Sequence, residues 1–325
     1  MRVTLILGLV LLTLGALAVT LGETALSAAQ YAQAFHDPAS PAGEILWSIR
    51  APRVATAAFV GAALGLAGAV MQGLLRNPLA DPGVLGVSAT AGLGAAISIA
   101  GGLAVQPGAV EAAALAGALG AGAVVVVLAT RFREPETLVL FGVALSALGG
   151  ALTALVFNLS PSPVTITEVL TWLMGSAANR DWSDLMAAAA PAAIGAGLCA
   201  YAAAGLRMLT LGEETAALSG LPMARLRAAA VAGAALLTGA AVALAGVIGF
   251  VGLAAPHLVR GSVSDDPART LAPSAAAGAI LLVAADLAAR LIPTDEELKL
   301  GVVTALFGAP LFALVAWRAA RSWRA

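Results

Sequence analysis

The sequence predicts an all-α polytopic membrane protein, and three observations support this fold class: composition, long apolar runs and the lack of strand-like alternation. Hydrophobic residues make up 60% of the 325 residues and charged residues only 11%, with a mean hydropathy of +0.96. The apolar runs reach about 20 residues, which is the length of a helix that crosses a bilayer. The strands of an outer-membrane barrel would alternate between apolar and polar residues instead.

Ten apolar runs predict about ten transmembrane helices within a single domain, residues 1–325. In order, they are 3–21, 54–75, 84–104, 108–130, 137–157, 184–205, 228–247, a short one at 249–261, 271–291 and 300–319. The first run follows Met1-Arg2, but no convincing cleavage site comes after it. We therefore expect a retained span there and not a signal peptide.

The distribution of basic residues predicts the orientation. If the N-terminus is cytoplasmic, twelve arginines lie on the inner side, against four arginines and Lys299 on the outer side. Cytoplasmic loops carry an excess of arginine and lysine, so both termini are expected in the cytoplasm.

An internal repeat supports this map. The segment 61–68, GAALGLAG, returns at 239–246 as GAAVALAG, and at the same offset Pro78 matches Pro256. A second pair relates 142–149 to 301–308 through matching glycines. Each pair lies five spans apart, which predicts a five-plus-five inverted repeat with halves of about 1–165 and 166–325. Chance similarity among helices rich in Ala and Gly is the alternative for either pair alone.

Several chemistries are excluded or disfavoured by residue type. The only lysine, Lys299, is followed by Leu300, so the chain has no GxxxxGK[ST] phosphate loop and does not hydrolyse ATP by itself. Two histidines and one cysteine do not make a Cys/His zinc site. We find no catalytic cluster, so no enzymatic activity is predicted.

Asp286 is the only acid well inside a span. A proton relay normally needs a chain of such groups, so a proton- or ion-coupled secondary carrier is the less favoured alternative. It lies four residues before Arg290, and the simpler prediction is an ion pair within one helix.

The loop 211–227 predicts two short helices on the cytoplasmic face. Thr210 is expected to cap the first, which carries Glu213 and Glu214, and Gly220 to end it. Pro222 then begins a second helix, with Arg225 and Arg227. An ordinary charged connector is the alternative.

Seven motifs in one order resemble the permease subunits of binding-protein-dependent ABC importers for iron chelates and cobalamin, the FecCD type. They are LWSIRAPR (46–53), GAALGLAGAVMQGLLRNPLADPGVLGVS (61–88), TWLMGS (171–176), LGEETAALSGLP (211–222), GVIGFVGLAAPHLVR (246–260), ADLAAR (285–290) and GVVTALFGAPLF (301–312).

The resemblance implies a homodimer of ten-helix subunits in the bacterial inner membrane. It also implies two cytoplasmic ATPase subunits, which bind ATP and Mg, and an external substrate-binding protein. The chain itself is expected to hold no cofactor or metal, and its net charge of −1 gives no sign of a nucleic-acid partner. The expected cargo is a ferric siderophore, with cobalamin and haem as alternatives.

The resemblance also implies roles for individual residues. The resemblance assigns docking of the binding protein to Arg50, Arg53 and Arg290. The planar guanidinium group of arginine can bind a carboxylate through two parallel hydrogen bonds. Interfacial anchoring is the alternative for Arg50 and Arg53. It assigns coupling to the ATPase to Glu213, Glu214, Ala216, Gly220, Pro222 and Arg225. The residues expected to line the translocation path are Gly142, Ser146, Gly149, Thr304 and Gly308, and their small side chains are expected to leave room for a large ligand.

The chain departs from the family pattern before the last span. It has Glu297-Leu298-Lys299-Leu300-Gly301 where relatives usually have Glu-Leu-Pro-hydrophobic-Gly. This substitution bears on docking around Arg290. Pro135 and Glu136 replace a small hydroxyl pair at the inner end of the fifth span, so no gate residue is predicted.

Overall fold

The structure is a computed structural model, and it describes residues 2–22, 24–132, 135–160, 162–263, 266–293 and 297–322. The chain is 83% helical, and no strand occurs in these ranges. The predicted class, an all-α polytopic membrane protein, is confirmed.

The α-helices follow one another along the chain with short connections. They are α1 (Arg2–Thr20), α2 (Ala28–His36), α3 (Pro41–Gly43), α4 (Ala51–Leu75), α5 (Val87–Ala100), α6 (Ala109–Arg131), α7 (Pro135–Leu159), α8 (Pro163–Leu173), α9 (Trp182–Leu209), α10 (Glu213–Leu218), α11 (Met223–Ala245), α12 (Val251–Val263), α13 (Pro267–Leu291) and α14 (Leu300–Ser322). A π-helical segment, Glu44–Arg50, joins α3 to α4.

Each of the ten predicted spans overlaps one of these helices. Seven helices are long and apolar enough to cross a membrane, whereas α5, α12 and the described apolar part of α14 are shorter. The predicted third span, 84–104, is replaced by a 3-10 turn at Pro82–Leu85 and the 14-residue helix α5, because Gly86 adopts a left-handed conformation between them. The number of crossings stays a prediction.

Two helices form the centre of the subunit. Within their apolar windows, 72% of the helix Pro41–Leu75 and 83% of α11 is buried, compared with 6% of α1. Helix α4 packs against α13, α11, α12 and α9, and α11 packs against α9 and α6. Helices α4 and α11, which carry the first pair of the predicted repeat, are therefore the two most buried long helices among the described spans.

Glycines allow these helices to approach backbone to backbone. A methyl group on Gly61 would lie 2.2 Å from the carbonyl oxygen of Gly278, and one on Gly278 would lie 2.1 Å from that of Gly61. The same would occur between Gly68 and the carbonyl oxygen of Gly252, at 1.8 Å. Small residues at helix contacts are typical of packing in lipid, where van der Waals contact drives association.

Besides the single-turn helix α3, the structure contains two helices that were not predicted from the sequence. Helix α2 is held by a capping box between Ser27 and Gln30, and Trp47 donates from Nε1 to the carbonyl oxygen of Ala34 at 3.0 Å. Helix α8 lies between α7 and α9 and is only 11 residues long. Both are too short to be recognised as spans.

We predict that Gly68→Ala destabilises the subunit by about 1–3 kcal/mol, because the added methyl overpacks the contact between α4 and α12. The unfolding temperature can be followed with a thiol-reactive dye, since the single cysteine, Cys199, is buried. The matched control is Gly150→Ala, where the new methyl has no neighbour within 4 Å. Equal unfolding temperatures for the two variants would contradict the prediction.

Candidate functional site

The first candidate site is a cluster of charges around Asp286, a side chain that is 1% exposed. Arg53 on α4 contacts Asp286 on α13 at 2.9 Å and also pairs with Glu297. Arg290, one turn after Asp286, forms an ion pair with it at 3.1 Å. The predicted ion pair between Asp286 and Arg290 is confirmed, and Arg53 is a further partner. Asp286 therefore links two helices through two guanidinium groups.

Arg50 and Arg290 hold the C-terminal end of α1. Arg50 donates to the carbonyl oxygen of Thr20 at 2.8 Å and to that of Thr24. Arg290 donates to the carbonyl oxygens of Ala18 at 3.0 Å and Leu21 at 3.2 Å. The last carbonyls of a helix lack partners inside the helix and carry a partial negative charge. Both arginines thus fasten α1, whose own surface is mostly exposed, to the rest of the subunit.

The three arginines predicted for docking are brought together, but they are not free. Arg50 is 6% exposed and Arg290 is 8% exposed, and Arg53 is occupied by two carboxylates. Their guanidinium groups are used within the subunit. Whether a partner also contacts them stays a prediction.

The second candidate site is the segment 211–227. Arg227 donates to Glu213 at 2.7 Å and to the carbonyl oxygen of Phe132 at 3.1 Å, which ties α10 to α11 and to the end of α6. Within α10, Ala216 is buried, whereas Leu218 is 83% exposed. Glu214 and Arg225, both predicted coupling residues, are also exposed. The segment, which we call the projection, therefore presents an exposed leucine together with exposed charged side chains.

Two details of this segment were predicted wrongly. Thr210 does not cap α10, because its hydroxyl donates to the carbonyl oxygen of Arg207 and closes α9 instead. The segment holds one short helix and not two, since Pro222 precedes the first turn of the long helix α11. Gly220 does follow α10, with a φ of 84°, a conformation that favours glycine.

An ion pair beside this segment fixes the start of α13. Arg207 contacts Asp266 at 2.8 Å, and Asp266 caps α13 by accepting from the backbone of Ala268. Burial acts to raise the pKa of Asp266, but the hydrogen bonds from Arg207 and the Ala268 backbone, together with the charges of Arg207 and Arg269, outweigh it, so this pKa lies below the usual value. The carboxylate is therefore charged at neutral pH and suited to both contacts.

The predicted translocation residues lie on two helices, α7 and α14, and their glycines pack closely within the subunit. A methyl on Gly142 would lie 2.0 Å from the carbonyl oxygen of Val84, and Gly149 packs against Ala89. Gly308 similarly packs against Phe250. Ser146 is half-buried. A side chain at any of these glycines would therefore meet another part of the same subunit, and whether the glycines line a path stays a prediction.

The subunit contains several cavities large enough for a ligand. One of about 890 Å³, which we call the outer cavity because its lining includes residues predicted for the outer side, lies between the connection after α5, helix α8 and the start of α14. A second, apolar cavity of about 660 Å³ is lined by Leu173, Met174, Val247, Gly301 and their neighbours. A third, of about 400 Å³, is lined by Thr304, Gly308, Phe250 and Phe307. Thr304 and Gly308, both predicted path residues, thus lie beside a cavity.

Three chain segments separate the first two cavities, and we call them the seam: residues 172–176, 245–249 and 299–301. Trp172, Gly246 and Lys299 line the outer cavity, whereas their chain neighbours Leu173, Val247 and Gly301 line the apolar one. Backbone hydrogen bonds join the segments: Ser176 N to Ala245 O at 2.8 Å, Leu300 N to Gly175 O at 3.0 Å and Gly301 N to Met174 O at 3.0 Å. The seam is therefore a partition made largely of backbone.

The described residues contain no group of three or more His, Cys, Asp or Glu side chains that could hold a metal ion. Within that part of the chain, the polar chemistry consists of ion pairs, helix caps and the lining of the outer cavity.

A family model described as the FecCD transport family matches residues 9–318. The chain belongs to the FecCD transport family. It is 40% identical over 301 residues to the vitamin B12 import system permease protein BtuC of Salmonella typhimurium, a match that covers 91% of each chain. It is 41% identical over 286 residues to the BtuC protein of Escherichia coli O157:H7, covering 87% of this chain and 86% of the relative.

A solved structure is similar over nearly the whole length. It is described as an inward-facing conformation of a metal-chelate type ABC transporter, and it matches with a TM-score of 0.87 and 30% identity. The match covers 98% of this chain and 99% of that one. This FecCD chain is thus an ABC-type permease, and its relatives are transport subunits, which disfavours a secondary carrier.

Sequence reasoning missed the partners that are distant along the chain of this FecCD protein. Arg53 and Asp286 are 233 residues apart, and Arg180 and Glu111 are 69 apart, so no local spacing indicates either pair. The sequence did contain one clue to such a pair, because charged residues are rare within the predicted spans. A buried carboxylate in an apolar protein requires a cationic partner, and Arg53 directly precedes a span at the same predicted side of the membrane as Asp286.

We predict that Asp286→Asn destabilises the subunit by about 3–5 kcal/mol, because it leaves the buried guanidinium of Arg290 without its carboxylate. The unfolding temperature of the purified protein measures the effect, with Glu44→Gln as a control that removes an exposed charge from the same end of the protein. An unchanged unfolding temperature for Asp286→Asn would show that the cluster contributes little.

Proposed function

We propose that this chain is the membrane subunit of an ATP-driven importer that moves a bulky metal chelate into the cell. The observation that carries the proposal is similarity to vitamin B12 import permeases over 91% of the chain. The absence of a phosphate loop from the sequence agrees with a separate ATPase. A homodimer, two ATPase subunits and an external binding protein complete the proposed complex.

The proposed topology has ten spans in two inverted halves, with both termini in the cytoplasm of a bacterial inner membrane. The excess of arginine at one set of helix ends supports this orientation. It places the charge cluster around Asp286 at the outer face and the segment 211–227 at the inner face.

Coupling to the ATPase is assigned to α10 and the first turn of α11. The exposed side chains Glu214, Leu218 and Arg225 form its contact surface. The ion pair between Glu213 and Arg227 lets movement of this projection pass to α11 and thus to the centre of the subunit.

Docking of the binding protein is assigned to the outer face around Arg50, Arg53 and Arg290. Since these arginines already hold α1 and Asp286, a carboxylate of the binding protein competes with carbonyls and carboxylates of the subunit itself. The same face can then respond to docking by releasing or tightening the end of α1.

The cargo class follows from the relatives. The BtuC proteins are named as vitamin B12 import permeases, which makes cobalamin one candidate cargo. The structural relative is described as a metal-chelate type transporter. Ferric siderophore remains the other candidate. Both are large polar chelates, so the outer cavity of about 890 Å³ suits either.

We predict ATP-dependent uptake when the complete complex is reconstituted in lipid vesicles with its binding protein. Radiolabelled cyanocobalamin and a radiolabelled ferric siderophore are offered separately, and a vesicle without ATP is the control. Uptake of one chelate identifies the cargo. Uptake of neither, from a complex that hydrolyses ATP, would refute the proposed function.

We predict that Leu218→Glu lowers ATP-dependent uptake by tenfold or more, since it places a charge at the apolar tip of α10 where the ATPase is proposed to dock. The control is Leu211→Glu, which changes another exposed leucine, one that precedes α10. Assembly with the ATPase is measured by size-exclusion chromatography. Normal assembly and uptake by Leu218→Glu would exclude this surface as the docking site.

A further inference from the structure

The outer cavity contains charged groups that no step above uses. Its charged lining side chains are Glu111, Glu168, Arg180 and Lys299. Glu111 and Arg180 neutralise each other at 2.5 Å. Among the described residues, Glu168 and Lys299 form no ion pair, so the cavity offers one cation and one anion to an incoming molecule.

The other cations at this end of the protein are already engaged. Arg50 and Arg290 bind carbonyl oxygens at the end of α1, and Arg53 binds Asp286 and Glu297. Arg180 binds Glu111. Of the five basic residues predicted for the outer side, Lys299 alone has no such partner within the described part of the chain.

The backbone of Lys299 is fixed at the floor of the cavity. Its carbonyl oxygen accepts from Val302 at 3.0 Å and from Val303 at 3.1 Å, which starts α14. The next residue, Leu300, bonds to Gly175 across the seam at 3.0 Å. The lysine is therefore anchored where the outer cavity meets the partition from the apolar cavity.

The remaining lining suits a large polar molecule. Gln106, Asn179 and Thr171 supply amides and a hydroxyl, and the indole of Trp172 contributes an aromatic surface with a buried N–H that has no hydrogen-bond partner. The volume of about 890 Å³ falls within the range of ligand pockets, about 300–1,000 Å³. An ammonium group in such a lining recognises carboxylate, catecholate or phosphate oxygens as a point charge.

We propose that the outer cavity receives the metal chelate on its way inward and that Lys299 binds an anionic oxygen group of that chelate, making Lys299 a specificity-determining residue. This inference rests on the proposed import function. It gives a role to the lysine that stands where the resembling family usually has proline, a residue that offers no charge to a ligand.

The test compares a transported chelate with a derivative in which its anionic group is esterified or amidated, so that size and metal are unchanged. Uptake of both by the reconstituted complex is measured for the wild type, Lys299→Gln and Lys299→Arg. The affinity of the binding protein for each chelate is measured separately, and the uptake ratio is corrected for it. We expect the wild type to prefer the anionic form by about tenfold, Lys299→Gln to lose the preference and Lys299→Arg to keep it.

A chemical version of the experiment keeps one folded protein throughout. Lys299→Cys is made together with Cys199→Ser, so that position 299 holds the only thiol. Modification with a cationic aminoethyl thiosulfonate is expected to restore the preference for the anionic chelate, whereas a neutral methyl thiosulfonate is not. Complexes that retain ATP hydrolysis are compared, so loss of folding is recognised directly.

Two results would overturn the inference while leaving import intact. One is an equal uptake ratio in the wild type and Lys299→Gln, and the other is a preference that the cationic reagent does not restore. Absence of uptake by the wild type for every chelate would instead refute the import function, and this inference with it.

Discussion

The buried carboxylate of Asp286 is the interaction on which one end of this protein depends. A charge in an apolar interior is costly unless it is paired, and Asp286 is paired twice, with Arg53 on α4 and Arg290 on α13. Arg290, held in this way, is also one of the residues that bind the end of α1. Removing one carboxylate therefore affects three helices at once.

The opposite end of the protein is organised by different physics. There the charges lie near helix ends: Asp266 caps the start of α13, and Arg227 pairs with Glu213 between α10 and α11. These contacts tie neighbouring helix ends to one another. The segment 211–227 is consequently held at its base, whereas Leu218 at the end of α10 is exposed.

The local features of this chain could be predicted from sequence, because they depend on neighbours along one helix. The apolar runs located the long helices, and the spacing of four residues gave the pair between Asp286 and Arg290. Features that depend on distant segments could not be predicted. Gly142 and Gly308 illustrate this, because the sequence alone does not tell a glycine that lines a path from a glycine that admits a close neighbour.

The seam has a consequence for how such a protein can change over time. At its closest contacts the seam consists of main chain: a methyl group on Gly246 would lie 2.3 Å from the carbonyl oxygen of Trp172, and one on Gly301 would lie 2.4 Å from that of Met174. A side chain at either glycine would collide with the main chain of the facing segment. Substitution of Gly246 or Gly301 therefore requires the partition itself to move, so the separation of the two cavities depends on these positions remaining without a side chain.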